Sequence, residues 1–435
     1  MATSKNSGDK GKSEAKKSEG SAKAEKAEKA ETSHESFGDN IRASAVAGGL
    51  VSKAGGVAAV GLGLSAVLGN MQNDGFHRFS LSYLTAFMWA MTIGLGALFW
   101  VLLQHLVGAK WSTVLRRLGE LLTATLPVLA ILSLPIVIPI FLGHDVIFEW
   151  ADAEKMHHDE ILANKAAYLN PGFFLIRFIV YFGFWTLISR YYLGQSLAQD
   201  KGGASDLPLR LQRLAGPGMI GFALTLTFCA FDLLMSLDPH WFSTIFGVYY
   251  FASCVLAINS TLVLISMWLQ GRGIMKKSVT VEHFHDLGKM MFAFTVFWTY
   301  VGFSQFMLIW YANMPEETGW YKERFAGDWG NVSILLLVAH FIVPFFGLLS
   351  RWVKRHRTGL AVGAVWILCV IYLDMYWLVM PNLKTEELPL GLIDFTCWIG
   401  MAGALIATVA YAAKNVNLVP VKDPRLPRSL AFENI

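Results

Sequence analysis

Apolar runs of about twenty residues recur ten times between residues 46 and 413, and short loops carrying most of the charge separate them. A run of that length, coiled as an α-helix, covers the roughly 30 Å hydrocarbon core of a bilayer. Only helices and closed barrels satisfy every backbone polar group in that medium. The pattern therefore predicts an all-α, polytopic integral membrane protein with about ten transmembrane helices. The 435 residues would otherwise allow two or three soluble domains, but with 54% hydrophobic and only 16% charged residues that alternative is excluded. Trp and Phe are abundant, as membrane interfaces favour. The runs lie near 46–68, 81–106, 118–142, 173–195, 218–237, 243–270, 287–312, 331–353, 359–380 and 393–413. The first is rich in Gly and Ala and suits either close helix packing or a surface position. The third holds Pro127, Pro135 and Pro139, which predicts a kink in its second half.

Three regions follow. Residues 1–42 are Lys, Glu, Ala, Ser and Gly with almost no large apolar side chain, too little to offset ordering entropy, so a disordered tail is expected. It lacks the apolar core of a signal peptide and is expected to stay in the cytoplasm. Residues 43–415 form the transmembrane domain, and 416–435 a basic C-terminal tail. With ten spans both termini share a side. That side receives Lys110, Arg116 and Arg117, then Lys201, Arg210 and Arg213, then Arg272, Lys276 and Lys277, then Arg351, Lys354, Arg355 and Arg357. The other receives about six basic residues, which places both termini in the cytoplasm. The largest exoplasmic loop, near 143–171, has helix-like patches and reads as a folded cap. Its His157-His158-Asp159 run does not read as a metal site, because neighbouring side chains on a helix diverge and no third ligand is evident. Contact with a partner protein is the preferred role of that loop.

Soluble catalytic machinery is not visible. There is no Gly-rich phosphate loop, nucleophile elbow or kinase-like pattern, and nothing points to nucleic acid. Cys229, Cys254, Cys369 and Cys397 all lie in apolar runs without C-x-x-C spacing, so they read as small hydrophobes rather than metal ligands.

The informative residues are polar groups where hydrocarbon belongs. Asp232 sits in the fifth run, ahead of the hairpin Asp238-Pro239-His240-Trp241-Phe242, and Thr225, Cys229 and Ser236 fall on its helical face. His340 lies within the eighth run and Asp374 within the ninth, all three in the exoplasmic half. The seventh run adds Tyr300, Ser304 and Gln305. A carboxylate in a span costs roughly 2.5–3.5 kcal/mol on insertion scales, so each is a functional candidate by default. Neutral His beside a carboxylate is suited to proton exchange near neutral pH. Asp232, His340, Asp374, Tyr300 and Gln305 are therefore the quinone-facing or proton-transfer candidates. The structural alternative is a His bonded to backbone and an Asp satisfied by Arg177 or a Tyr. On the cytoplasmic half, His105, Glu120 and Asp286 are proton-uptake candidates, with His285 and Lys289 nearby. Against this, Glu120 follows Arg116 and Arg117 at helical spacing, as a snorkelling ion pair would.

Three stretches carry a resemblance: FDLLMSLDPHWFSTIFGVYYFASC, HDEILANKAAYLNPGFFLIR, and HDLGKMMFAFTVFWTYVGFSQFMLIWYANMPEET. Together they resemble the second NrfD-like membrane subunit (polysulfide reductase NrfD family) of alternative complex III, a bacterial quinol:cytochrome c oxidoreductase, over nearly everything from about residue 40. The resemblance implies two four-helix bundles, spans two to five and six to nine, with flanking helices outside. It implies a multi-pass protein of the bacterial inner membrane that supports quinol oxidation and proton translocation without a redox centre of its own. Menaquinone or another quinone is the implied ligand. The implied partners are a sister NrfD-like subunit, iron–sulfur and multihaem cytochrome c subunits that carry the clusters and haems, lipid, and a terminal oxidase. Quinol-oxidising relatives place a His about six residues before the Asp matched by Asp232; here Leu226 stands there, which favours proton conduction or a structural role. Two other readings remain: a quinone-reactive anchor of a molybdoenzyme of the polysulfide reductase type, and a secondary transporter. The second lacks the symmetrically interrupted spans that transporter sites show.

Overall fold

A computed structural model describes residues 38–143, 146–203, 205–385 and 387–434. Most of the tail expected to be disordered, residues 1–37, and His144 and Asp145 of the large loop lie outside the described residues.

Ten helices are long and apolar enough to cross a membrane: span 1 Ser44–Met71, span 2 His77–Leu106, span 3 Thr113–Phe141, span 4 Pro171–Gly202, span 5 Leu207–Leu237, span 6 Phe246–Gly271, span 7 Val281–Ala312, span 8 Gly327–Leu349, span 9 Arg357–Leu383 and span 10 Leu392–Ala413. The chain is an all-α, multi-pass membrane protein, and among the described residues its one β-type pairing is an isolated bridge between Arg42 and Asn417. Side chains such as Ile176, Leu187, Ile220, Tyr311 and Phe346 face outward and are exposed, as lipid-facing positions are.

Spans 2, 3, 4 and 5 close into one four-helix bundle, and spans 6, 7, 8 and 9 into a second. Span 2 is buried along almost its whole length, because it also packs on spans 6, 9 and 10 and joins the two bundles. The join is tight at Gly96, where a Cβ would run into the carbonyl oxygen of Cys254. Span 1, long and apolar enough to cross, pairs with span 10 outside the bundles. Glycine makes that pairing possible: a Cβ on Gly61 would sit 2.8 Å from the Gly400 Cα, and one on Gly403 would sit 2.8 Å from the Ala58 nitrogen.

Two spans are broken, each for a proline reason. Span 3 divides into Thr113–Leu122, Thr125–Leu132 and Leu134–Phe141. Pro127 and Pro135 follow the two breaks and cannot donate the missing helical hydrogen bonds. Span 8 widens into a π-helical turn over Leu337–Ile342, with the Val343 N–H reaching back to Val338. Pro344 lies four residues past His340 and cannot bond to its carbonyl, so the ladder shifts there.

Both ends of the described chain, near Asp39 and Leu418, lie on the face that carries the basic loops. Leu418 N–H donates to the Ile41 carbonyl at 2.8 Å. Residues 38–42, the last five of the segment expected to be a disordered tail, are docked instead: the Asp39 carboxylate accepts from the backbone N–H groups of Lys276, Lys277 and Ser278 at 2.9–3.2 Å. On the opposite face the large loop folds into Glu149–Ala151, Ala153–His158 and Glu160–Lys165. It is docked by buried Phe148 and Trp150 and by a hydrogen bond from Lys165 to the Pro239 carbonyl.

Candidate functional site

Five carboxylic side chains are buried among the described residues: Glu120, Asp232, Asp374, Asp394 and Asp423. Four of them face an arginine. Asp232, on span 5, receives Arg177 of span 4 in a two-point pair, Nη2 to Oδ1 at 2.8 Å and Nε to Oδ2 at 2.9 Å. The Tyr181 hydroxyl donates to the same carboxylate at 2.8 Å. Arg177 is held in turn by the Tyr168 carbonyl at 2.8 Å and by the Tyr168 ring, whose centroid is 3.8 Å away. Thr225, Cys229 and Ser236 are buried on the same face of span 5, and Trp185 donates to Thr225 at 2.9 Å. Asp232 is thus the satisfied acid of the structural alternative: protonating it would strand the Arg177 charge. Asp394 is held the same way by Arg78, at 3.0 and 2.6 Å.

Asp374 has different company. It is fully buried on span 9 and accepts from Tyr249 Oη at 2.5 Å, Ser253 Oγ at 3.2 Å and Trp298 Nε1 at 3.2 Å. All three partners are neutral, and it makes no ion pair among the described residues. Tyr249 and Ser253 come from span 6 at i and i+4, and Trp298 from span 7, so three helices converge on one carboxyl group. The Trp298 ring also stacks on His340 of span 8, centroids 3.7 Å apart and planes 23° apart. His340 is fully buried within the π-helical turn, and neither ring nitrogen has a hydrogen-bond partner in the described structure. Asp374 and His340, two of the sequence candidates, are therefore joined through Trp298. Indole N–H donates only, so this link positions the two groups without itself passing a proton.

Beside this cluster lies a cavity of about 310 Å³ lined by Tyr249, Trp298, Gln305, Trp320, Ser333 and Trp377 among others. Gln305 is buried, and its side-chain nitrogen has no partner in the described structure. One wall includes Phe303, Ile334 and Leu337, all exposed on the outer surface between spans 7 and 8. Arg324 backs the lining residue Trp320: its guanidinium stacks 3.5 Å from the Trp320 ring centroid and donates to the Trp320 and Leu378 carbonyls. Trp241 of the hairpin stacks on Trp320 at 4.4 Å.

The chain matches no protein-family profile and no curated protein.

Tyr300 does not join the cluster. It is 64% exposed, on the outward face of span 7, because it sits between the inward-facing positions Trp298 and Val301. On the basic face Glu120 is fully buried between Arg117 Nε at 3.2 Å and Arg116 Nε at 3.4 Å, ionic contacts without hydrogen-bond geometry, with His105 Nε2 3.9 Å away. Arg116 also pairs with Asp423, and Arg117 with Asp200 at 3.0 Å. These side chains do not snorkel: the C-terminal segment closes over them. Asp286 is elsewhere on that face, paired with Lys289 at 2.5 Å. Cys369, expected inside, is exposed, whereas the other three thiols are buried.

The residues that sequence reasoning missed are Tyr249, Ser253 and Trp298. The i, i+4 spacing of the first two was the available signal, but nothing local says which acid they face.

Proposed function

We propose that this chain is the membrane-embedded, proton-handling subunit of a respiratory quinol:electron-acceptor oxidoreductase, of the NrfD-like kind found in alternative complex III. The observation that carries this reading is Asp374, a carboxyl group buried among neutral donors only. Such a group gains or loses a proton without breaking an ion pair, which none of the other four buried acids can do. His340 supplies a second exchangeable site across Trp298. The neighbouring cavity suits the flat, carbonyl-bearing ring of a quinone, with the Gln305 amide placed to donate to it, and its lateral wall suits a ligand arriving through the bilayer. The two closed bundles with an outer helix pair support the resemblance seen in the sequence. The basic face, which holds both ends of the described chain, is the cytoplasmic one in this reading, and the folded cap faces the iron–sulfur and multihaem cytochrome subunits.

The test uses the complex purified from its native membrane. Asp374→Asn keeps the shape and the neutral contacts and removes the exchangeable proton. Quinol-dependent cytochrome reduction, or the proton release coupled to it, is expected to fall by about 10²-fold with the subunit composition unchanged. Wild-type rates and proton stoichiometry in that variant, or the absence of redox subunits from the purified complex, would reject the proposal.

A further inference from the structure

Near the basic face, spans 1, 2, 3, 6 and 10 leave between them a cleft of about 370 Å³. Its walls include Val46 and Leu50 of span 1, Leu122 of span 3, Leu264 and Trp268 of span 6, and Ile406 of span 10, and the lining is apolar almost throughout. Between Ala402 and Ala413 it follows span 10 for about 16 Å, roughly half the hydrocarbon thickness, at the 1.5 Å rise of a helix. Ile406 and Trp268 are 48% and 38% exposed, so the cleft opens sideways to the bilayer.

Positive charge is confined to its mouth. The Arg272 guanidinium lies 5.2 Å from the centroid of the Trp268 ring and makes no ion pair among the described residues. Lys53 is exposed inside span 1, also with no ion pair among the described residues. Val46, Leu50 and Lys53 share one stripe at i, i+4 and i+7. Span 1 starts at the basic face and helix side chains tilt toward the N-terminus, so the Lys53 stem leads back toward the cleft mouth. Arg42, bonded to Asn417 at 3.0 Å next to the lining residue Leu418, adds a third positive charge at the rim. A lysine inside a span is costly unless it reaches the interface or a counter-charge. Hydrocarbon along the cleft and cations only at its end match an amphiphile with one anionic end, and basic pockets between spans recognise anionic headgroups.

We propose that this cleft binds one anionic phospholipid, with an acyl chain along spans 6 and 10 and its phosphate between Lys53 and Arg272. None of its lining residues touches Asp374 or lines the cavity beside it, and the proposal is independent of the respiratory reading.

The full chain, purified in mild detergent with whatever subunits accompany it, is stripped of lipid and titrated with phosphatidylglycerol or phosphatidylcholine, and bound lipid is counted by native mass spectrometry. One phosphatidylglycerol per chain is expected to bind at least about tenfold more tightly than phosphatidylcholine. The surface double variant Lys53→Ala/Arg272→Ala is expected to lose about tenfold in phosphatidylglycerol affinity together with that preference. Ile406→Trp, which fills the cleft from its exposed side, is expected to abolish retention of both lipids at an unchanged unfolding temperature. Equal affinity for the two lipids, binding untouched by the variants, or a partner helix cross-linked into the cleft would overturn the proposal. Because bound lipid rather than turnover is read, its failure and that of the respiratory reading are distinguishable.

Discussion

Asp232 and Asp374 sit near the same end of the last helix of their respective bundles, and each accepts a tyrosine hydroxyl. What differs is charge. Removing Arg177 leaves the Asp232 carboxylate buried without a cation, so Arg177→Met is expected to destabilise the protein by about 3–5 kcal/mol. Arg177→Met/Asp232→Leu, which removes both charges, is expected to recover most of that loss, and thermal unfolding in detergent of the single and double variants checks it. Asp374→Asn, by contrast, leaves no stranded cation and is expected to change stability little. The polar residues inside the apolar runs were legible one by one, since an acid or a histidine stands out against Leu, Ile and Phe. Their partners were not. Tyr249, Ser253 and Trp298 reach Asp374 from two other spans, and Tyr and Trp are common enough in membrane helices to carry no signal alone.

At the scale of elements, prolines were the readable punctuation. Three of them in span 3 announced a kink in its second half; the helix divides there at Ser133 and also earlier, at Thr123 and Ala124, while Pro139 stays inside a helix. Pro344 produces the π-helical turn that holds His340, a consequence the apolar run conceals. The pairing of spans 1 and 10 depends on glycine, so Gly403→Val should force the helices apart at the Ala58 backbone, costing about 1–3 kcal/mol. New protease cleavage near the start of span 1, with the bundles intact, would report it. The cap offers a pH test. Asp159 accepts from His240 Nε2 at 2.6 Å and from the Ile161 and Leu162 N–H groups, and these hold its carboxyl below the usual range. A depressed carboxylate contributes stability that is fully present above its unfolded value and is lost as pH falls through the folded one. Amide protection at Ile161 and Leu162, corrected for intrinsic exchange, is expected to hold down to about pH 4 and to fall below it. Asp159→Ala should lower that protection above about pH 4 and make little difference once the wild-type carboxylate is protonated.

At the scale of the molecule, the C-terminal segment is a strap rather than a loose end. Asp423 meets Arg116, the Asn417 carbonyl accepts from Arg117 at 3.0 Å, and Ser429 Oγ accepts from the Val114 N–H at 3.1 Å. Asp423→Asn is expected to loosen it, exposing Arg425 and Arg428 to trypsin while leaving the ten spans in place. A cleavage pattern identical to wild type would show that the remaining contacts suffice. The same strap explains why the Glu120 network is buried: charges that look surface-bound in a ten-residue window are covered by residues about three hundred positions away.

The amino-acid order alone determined the helical class, the number of apolar helices long enough to span, and the identity of the polar intruders, because a bilayer imposes length and hydropathy on each segment separately. Only the tertiary structure decided which intruders are neutralised, which are left among neutral donors, and where a cleft remains between spans. Those outcomes depend on contacts between helices far apart in the chain, and the periodicity of a single helix does not encode its neighbours.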